Sequence, residues 1–206
     1  DILKIFAENM LLGFGVPEEY GGQGIDISNV IMGTVLETIA RADMGAAFLW
    51  QNAYLSAKSF YQGAPEELKR EWLPKLCAGE AHIGVGITEP QAGTDLNNLQ
   101  GTAVRDGDEW VINCTKTSVS FADAEIYTFF LKYEIDGVKS RGMFIVPRIV
   151  NGLEMYVYKD FGLKCVGRGD VRLDNVRIPL NSILKDSKEL PMGRTGWALM
   201  TIGTAV

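Results

Sequence analysis

The chain has 206 residues, 47% of them hydrophobic, with 20 lysines and arginines against 26 aspartates and glutamates, a formal net charge of −6. The apolar share is enough for a packed core and excludes a disordered chain. The acidic balance, with no basic cluster longer than two residues, excludes a nucleic-acid surface, and no apolar run reaches the roughly 18 residues of a membrane span.

The predicted elements begin with a helix over 1–12, where Leu3, Phe6, Ala7, Met10 and Leu11 fall at helical spacing. Gly13 and Gly15 end it, and a Gly/Pro-rich turn runs to Gly24. Asp26 or Ser28 caps a second helix with Ile31, Val35, Ile39 and Ala42 on one stripe. A third helix runs over 44–61 and stops at Gly63. A fourth covers 66–77, opened by Pro65 and closed by Gly79, with acidic residues in its first turn.

From Ala81 the period changes to two, with strands predicted over 82–88, 100–105, 109–113, 116–120, 126–133, 142–147, 153–158 and 170–177. Asp106-Gly107 and Asp136-Gly137 are hairpin turns. Strand after strand with no helix between them implies an antiparallel sandwich or barrel. After Pro179 the pattern turns helical again, from about Gly196. The fold class is therefore α+β, divided as a helical domain over 1–80, a β domain over 81–180 and the start of a second helical domain over 181–206.

Cys77, Cys114 and Cys165 are odd in number and widely spaced, with no C-x-x-C, so neither a zinc site nor a disulfide framework is expected, and the thiols suit a reducing compartment. His82 is the one histidine; it precedes a predicted strand without a local carboxylate and reads as structural or surface. No G-x-G-x-x-G follows a strand, and no phosphate-binding G-x-x-x-x-G-K-[ST] or nucleophile elbow G-x-S-x-G occurs. Arg168-Gly169-Asp170 spells an adhesion tripeptide by chance. The opening Asp1-Ile2-Leu3-Lys4 lacks the order of a signal peptide.

The most informative stretch is Ile87-Thr88-Glu89-Pro90-Gln91-Ala92-Gly93-Thr94-Asp95, a loop with clustered hydroxyls and an open backbone directly after a predicted strand. Taken alone, such hydroxyls satisfy their own backbone in Asx and ST turns. The stretch also resembles the T-E-P-x-A-G-S-D signature of the acyl-CoA dehydrogenase flavoproteins, with Thr94 in place of the serine. Gly13-Phe14-Gly15-Val16-Pro17-Glu18-Glu19-Tyr20-Gly21-Gly22 resembles the family's G-x-P-E-E-Y-G-G turn. Asp106-Gly107-Asp108-Glu109-Trp110-Val111-Ile112-Asn113 resembles its D-G-D-x-Y-x-L-N hairpin, and Leu173-Asp174-Asn175-Val176-Arg177-Ile178-Pro179 its F-x-N-V-R-V-P strand.

The resemblance implies an N-terminal helical domain, a middle β domain and a C-terminal helical bundle, of which this chain holds a piece. It implies FAD as cofactor, lined by residues 85–94 and 118–120: Val85, Ile87, Thr88, Gly93, Thr94, Ser118, Val119 and Ser120. Thr88 is implied as a contact to the flavin ring, and Thr94 as one near the pyrophosphate and the acyl-CoA. Lys116-Thr117-Ser118-Val119-Ser120 resembles K-x-W-I-T, which places the Ser120 hydroxyl near flavin N5 and Ser118 where an aromatic residue usually packs. In Gly162-Leu163-Lys164-Cys165-Val166-Gly167, the family's arginine is Lys164 and a hydroxyl residue is Val166. Phe48, Trp50 and Tyr54 stand either near the family's acyl pocket or in the helical core.

The activity implied is α,β-dehydrogenation of an acyl-CoA, as in fatty acid metabolism, with hydride to N5 and a carboxylate base beyond Val206. The chain by itself is then expected to be inactive and weak at holding flavin. The family usually passes electrons to an electron-transferring flavoprotein and assembles as a homo-oligomer, a dimer or tetramer, in the cytoplasm or mitochondrial matrix. Alternatives are a flavin-dependent monooxygenase or desulfurase of the same fold, or a non-catalytic scaffold that has lost flavin.

Overall fold

The computed structural model describes residues 2–185. The contacts of the chain gather into two units, the first containing residues 2–82 with Gly162–Val166, the second Ile83–Phe161 with residues 167–185.

In the first unit α1 (Ile2–Glu8) is shorter than its apolar spacing predicts. Met10 takes a left-handed φ of 55°, and the Leu11 amide donates back to the Phe6 carbonyl at 2.8 Å. That closure ends the helix before Gly13. Ser28 caps α2 (Asn29–Ala40) by accepting from the Ile31 amide at 3.3 Å, and Asp43 caps α3 (Met44–Gly63) by accepting from the Ala46 amide at 2.7 Å. Helix α4 (Glu66–Cys77) follows Pro65, with Glu66 and Glu67 in its first turn. The turn before α2 is tied to α4 by the Tyr20 hydroxyl, which donates to Glu66 at 2.9 Å. A Cβ at Gly22 would lie 2.0 Å from the Val16 carbonyl oxygen, so the second glycine of the turn is required by close approach.

The second unit is built on β1 (Ile83–Gly86), β2 (Thr102–Asp106), β3 (Glu109–Val119), β4 (Ile126–Ile135), β5 (Val138–Pro147), β6 (Leu153–Val157) and β7 (Gly169–Pro179). β2–β3, β3–β7, β4–β5 and β6–β7 pair antiparallel. At the β4–β5 turn, Asp136 and Gly137 both have positive φ, as a type I′ hairpin requires.

Two pairings differ from the wholly antiparallel expectation. β1 and β2 lie end to end along one edge of β4 and both run parallel to it, while β5 covers the other edge. The sheet is therefore mixed. A parallel pair needs a crossover of a dozen or more residues, usually a helix. Here the β2–β3 hairpin serves as the crossover, and no local sequence signal marks it as one.

β3 is also one strand rather than the two predicted over 109–113 and 116–120. Register shifts against β7 fall between Ile112 and Cys114 and between Lys116 and Val119. Such bulges break the period-two pattern without ending the strand.

The sheet core centres on Trp110, Phe129, Phe144, Leu131 and Ile145, each at most 2% exposed. Phe144 meets Trp110 edge-on at 5.3 Å and Tyr133 edge-on at 5.7 Å. Phe144→Ala removes both contacts and leaves a cavity, with an expected cost of about 3–5 kcal/mol. Ile149→Ala, at a side chain 95% exposed, should change stability by less than about 0.5 kcal/mol. Urea unfolding of the two variants tests the contrast.

Candidate functional site

The end of β1 and the end of β3 are stitched together. The Val85 amide donates to the Ser120 carbonyl at 3.3 Å, and the Thr117 amide donates to the Thr88 carbonyl at 2.9 Å. The Thr88 hydroxyl donates to the Thr117 carbonyl. Six of the residues singled out by sequence, Val85, Ile87, Thr88, Ser118, Val119 and Ser120, are thereby brought onto two adjoining backbone segments. Val119 is 1% exposed and packs into the interior of the unit. Gly93 and Thr94 lie on the exposed loop that follows. A Cβ at Gly93 would meet nothing within 4 Å, so open space surrounds that backbone.

The glycines of β1 have a packing reason that the sequence reading did not reach. A Cβ at Gly84 would lie 2.6 Å from the Tyr127 ring and one at Gly86 2.5 Å from the Phe129 ring. Those rings stack on each other at 5.2 Å. Bare backbone on one face of β1 lets the strand lie flat on this pair.

Behind the two segments sits a buried ion pair. The side chains of Lys116 and Glu89 are 0% and 2% exposed, with Nζ and Oε1 2.7 Å apart. The Lys116 ammonium also donates to the Ile87 carbonyl at 3.1 Å and the Phe130 carbonyl at 2.6 Å. Glu89 accepts from the Gln100 amide at 2.6 Å and from the Gly101 amide at 3.0 Å. Burial opposes ionisation of Glu89, but the Gln100 amide, Lys116 and the Gly101 amide outweigh it, and the carboxyl is held below its ordinary value. Burial pulls the Lys116 ammonium below its ordinary value, offset in part by Glu89. A Cβ at Gly101 would lie 2.6 Å from Glu89 Oε1, so the amide reaches the carboxylate only because residue 101 is glycine.

The sequence motifs contain both residues, but nothing in them marks Lys116 as the partner of Glu89. The signal available was a lysine in register with inward-facing Ile112 and Cys114 on a strand.

At Ser118 the chain has φ of 52° within the second bulge, and the side chain is exposed. Its amide donates to the Tyr158 hydroxyl at 3.4 Å, and that hydroxyl donates to Asp170. Burial, reinforced by Asp170, raises the Tyr158 phenol above its ordinary value. Asp170 is thus occupied by Tyr158, and Arg168 by Asp160 at 3.1 Å.

A pocket of about 390 Å³ opens beside Glu89, with Gln100, Cys114, Thr115 and Arg172 in its wall. It does not include Thr88, Ser118 or Ser120. Burial pushes the Cys114 thiol up to about 12 and the Cys77 thiol up to about 11. Among the described residues no group of three or more His, Cys, Asp or Glu side chains is placed to hold a metal.

In the helical unit Trp50 is fully buried, donates to the Leu11 carbonyl at 2.8 Å and stacks on Tyr54 at 6.0 Å. The Tyr54 hydroxyl donates to Asp26. Packing and hydrogen bonds account for both residues as core. Lys164–Val166 form a short 3₁₀ turn in the same unit.

A helical region followed by a curled, mixed sheet is the architecture of a known class of α+β proteins. Residues 1–80 match the acyl-CoA dehydrogenase N-terminal domain, and residues 84–176 match the acyl-CoA dehydrogenase middle domain. The chain belongs to the acyl-CoA dehydrogenase family. It is 34% identical over 188 residues to the glutaryl-CoA dehydrogenase of Desulfococcus multivorans, a match covering 89% of this chain and 48% of that protein. Its structure is similar to a glutaryl-CoA dehydrogenase from Mycobacterium smegmatis in complex with FADH2, with a TM-score of 0.83 at 26% identity, over 98% of this chain and 50% of that one. An acyl-CoA dehydrogenase from Bacillus anthracis, complexed with FAD, gives a TM-score of 0.82 at 28% identity, over 98% of this chain and 37% of that one. The chain spans about half the length of the curated relatives it matches. Among the described residues no helix is long and apolar enough to cross a membrane.

The Glu89 contribution to stability is full above its ordinary value of 4.5 and is lost as pH falls through its lowered folded-state value. Urea unfolding from about pH 6 to about pH 3 should show a steeper acid loss for wild type than for the Glu89→Gln/Lys116→Met double variant. Parallel slopes for the two proteins would refute the pairing.

Proposed function

We propose that the protein carrying this chain is an FAD-dependent dehydrogenase that removes hydrogen from the α and β carbons of an acyl-CoA thioester. The observation that carries the reading is the stitched pair of segments. The Thr88 amide has no hydrogen-bond partner among the described residues, and the Ser120 hydroxyl lies on the adjoining segment. An unpaired amide donor and nearby hydroxyls suit the carbonyl-rich edge of an isoalloxazine ring. When bound, FAD supplies the hydride acceptor, at its N5.

The chain's own contribution is to bind and orient. The Thr88 amide would donate to the ring edge where negative charge grows on reduction, and a donor fixed in advance would stabilise that charge without reorganising. The Ser120 hydroxyl would donate near N5. Thr94 and Gly93 would offer a hydroxyl and an open backbone to the pyrophosphate and the acyl-CoA. Glu89 is not the proton-abstracting base, because its carboxylate is buried, ionised and already held by Lys116 and two amides. Homologues named glutaryl-CoA dehydrogenase favour a short acyl group, and an electron-transferring flavoprotein and homo-oligomeric assembly complete the proposal.

A second reading, flavin-dependent activation of oxygen, is favoured by one feature. Ser118 is exposed where the family places an aromatic ring, and a small residue there leaves room for oxygen. Rapid oxygen consumption by the reduced protein, slowed by Ser118→Trp, would select it over the dehydrogenase.

Full-length protein expressed with ample FAD should purify with a flavin absorbance band, and its absence overturns the reading. In that holoprotein Ser120→Ala should lower the flavin potential and slow reduction by acyl-CoA roughly two- to tenfold. This corresponds to one hydrogen bond worth about 0.5–1.5 kcal/mol. Unchanged potential and reduction rate would remove Ser120 from the site.

A further inference from the structure

We infer that Lys116 is a positioning residue that sets the donor strength and direction of the Thr88 amide. The inference rests on the flavin reading proposed above. It starts from the geometry of one peptide. In a trans peptide the carbonyl of one residue and the amide of the next point in opposite directions across the same plane. The Ile87 carbonyl points at the buried Lys116 ammonium, 3.1 Å away. The Thr88 amide therefore points away from the lysine, and it has no partner among the described residues. Thr88 is half-buried, and backbone amides turned away from bulk water are normally paired. One held open beside two hydroxyl residues is set up for a ligand.

The lysine is itself held without slack. An ammonium has three protons, and Lys116 directs them to Ile87, Glu89 and Phe130, so the loop after β1, the strand β3 and the strand β4 converge on one nitrogen. Glu89 balances its charge and is anchored in turn by the Gln100 and Gly101 amides. A cation at the oxygen end of a peptide dipole polarises that peptide and makes its N–H a stronger donor. The effect is greatest on the charge state that bears more negative charge. Lys116 should therefore favour reduced flavin over oxidised flavin, whereas a residue serving stability alone would weaken both equally or neither.

The test compares full-length wild-type holoprotein with the Glu89→Gln/Lys116→Met double variant, which removes both charges without leaving a carboxylate buried alone. FAD is the probe, with dissociation constants read by flavin fluorescence and the midpoint potential by reductive titration. The double variant should bind reduced FAD about tenfold more weakly, relative to oxidised FAD, than wild type does. For a two-electron couple that is a fall of about 30 mV in potential. A double variant that binds FAD with the wild-type potential overturns the inference and leaves the flavin reading intact. Wild-type protein that retains no FAD overturns the reading itself. Should that variant fail to fold, Glu89→Gln/Lys116→Gln, which also removes both charges but keeps a hydrogen-bonding side chain at each position, is titrated in the same way. A potential below that of wild type upholds the inference, and the wild-type potential sinks it.

Discussion

The β unit depends on the ion pair between Lys116 and Glu89. Burying a lysine and a glutamate costs several kcal/mol for each charge, and their attraction offsets this only with close geometry and every remaining lone pair and proton engaged. Both conditions are met: the pair is 2.7 Å apart, the ammonium has two further acceptors and the carboxylate two amide donors. The pair cannot be satisfied unless β3, β4, the loop after β1 and the approach to β2 all take their observed places. It acts less as a source of stability than as a constraint on which arrangement of those strands is acceptable.

That constraint explains the small residues around it. Glycine at 101 admits the carboxylate to the amides that hold it, and glycines at 84 and 86 let β1 lie against the stacked Tyr127 and Phe129 rings. β1 is then placed on both edges, by β4 through its parallel ladder and by β3 through the Val85–Ser120 bridge. The family to which the chain belongs uses this β domain with a helical domain before it. In this chain the candidate ligand-facing groups are backbone and short hydroxyl side chains at strand ends. Their positions are determined by the sheet rather than by mobile side chains.

Much of this was legible in the sequence, where the signal was local. Ser28 is the cap that its position before an apolar stripe predicts, Pro65 and Glu66 open α4, and Asp136-Gly137 forms the hairpin its composition requires. The four motif islands identified the family, because together they match it in order. What was hidden depends on partners far apart in sequence. The parallel pairing of β1 and β2 with β4 leaves no local mark, since a strand reads the same whichever way its neighbour runs. The bulge around Ser118 reads as a strand end because it interrupts alternation. The end of α1 was misplaced because Met10 takes a left-handed conformation that the sequence pattern assigns to Gly13. Lys116 was overlooked because an isolated lysine in a strand is ordinarily a solvated residue, and only its buried carboxylate partner makes it otherwise.

The end-to-end placement of β1 and β2 on β4 bears on how the protein comes to have a site at all. β4 and β5 join through a two-residue turn, so their ladder closes a small loop, whereas β1 meets β4 only after the whole of β2 and β3 has been looped out. The ladder that carries Val85 toward Ser120 is thus among the most non-local in the β unit, and non-local ladders are the costly ones to close. No short segment of this chain holds a partial version of the site. Val85 and Thr88 acquire Ser120 and Thr117 as neighbours only when the far end of β3 has been brought back beside β1, so this arrangement is assembled from distant parts of the chain rather than preformed in any one of them.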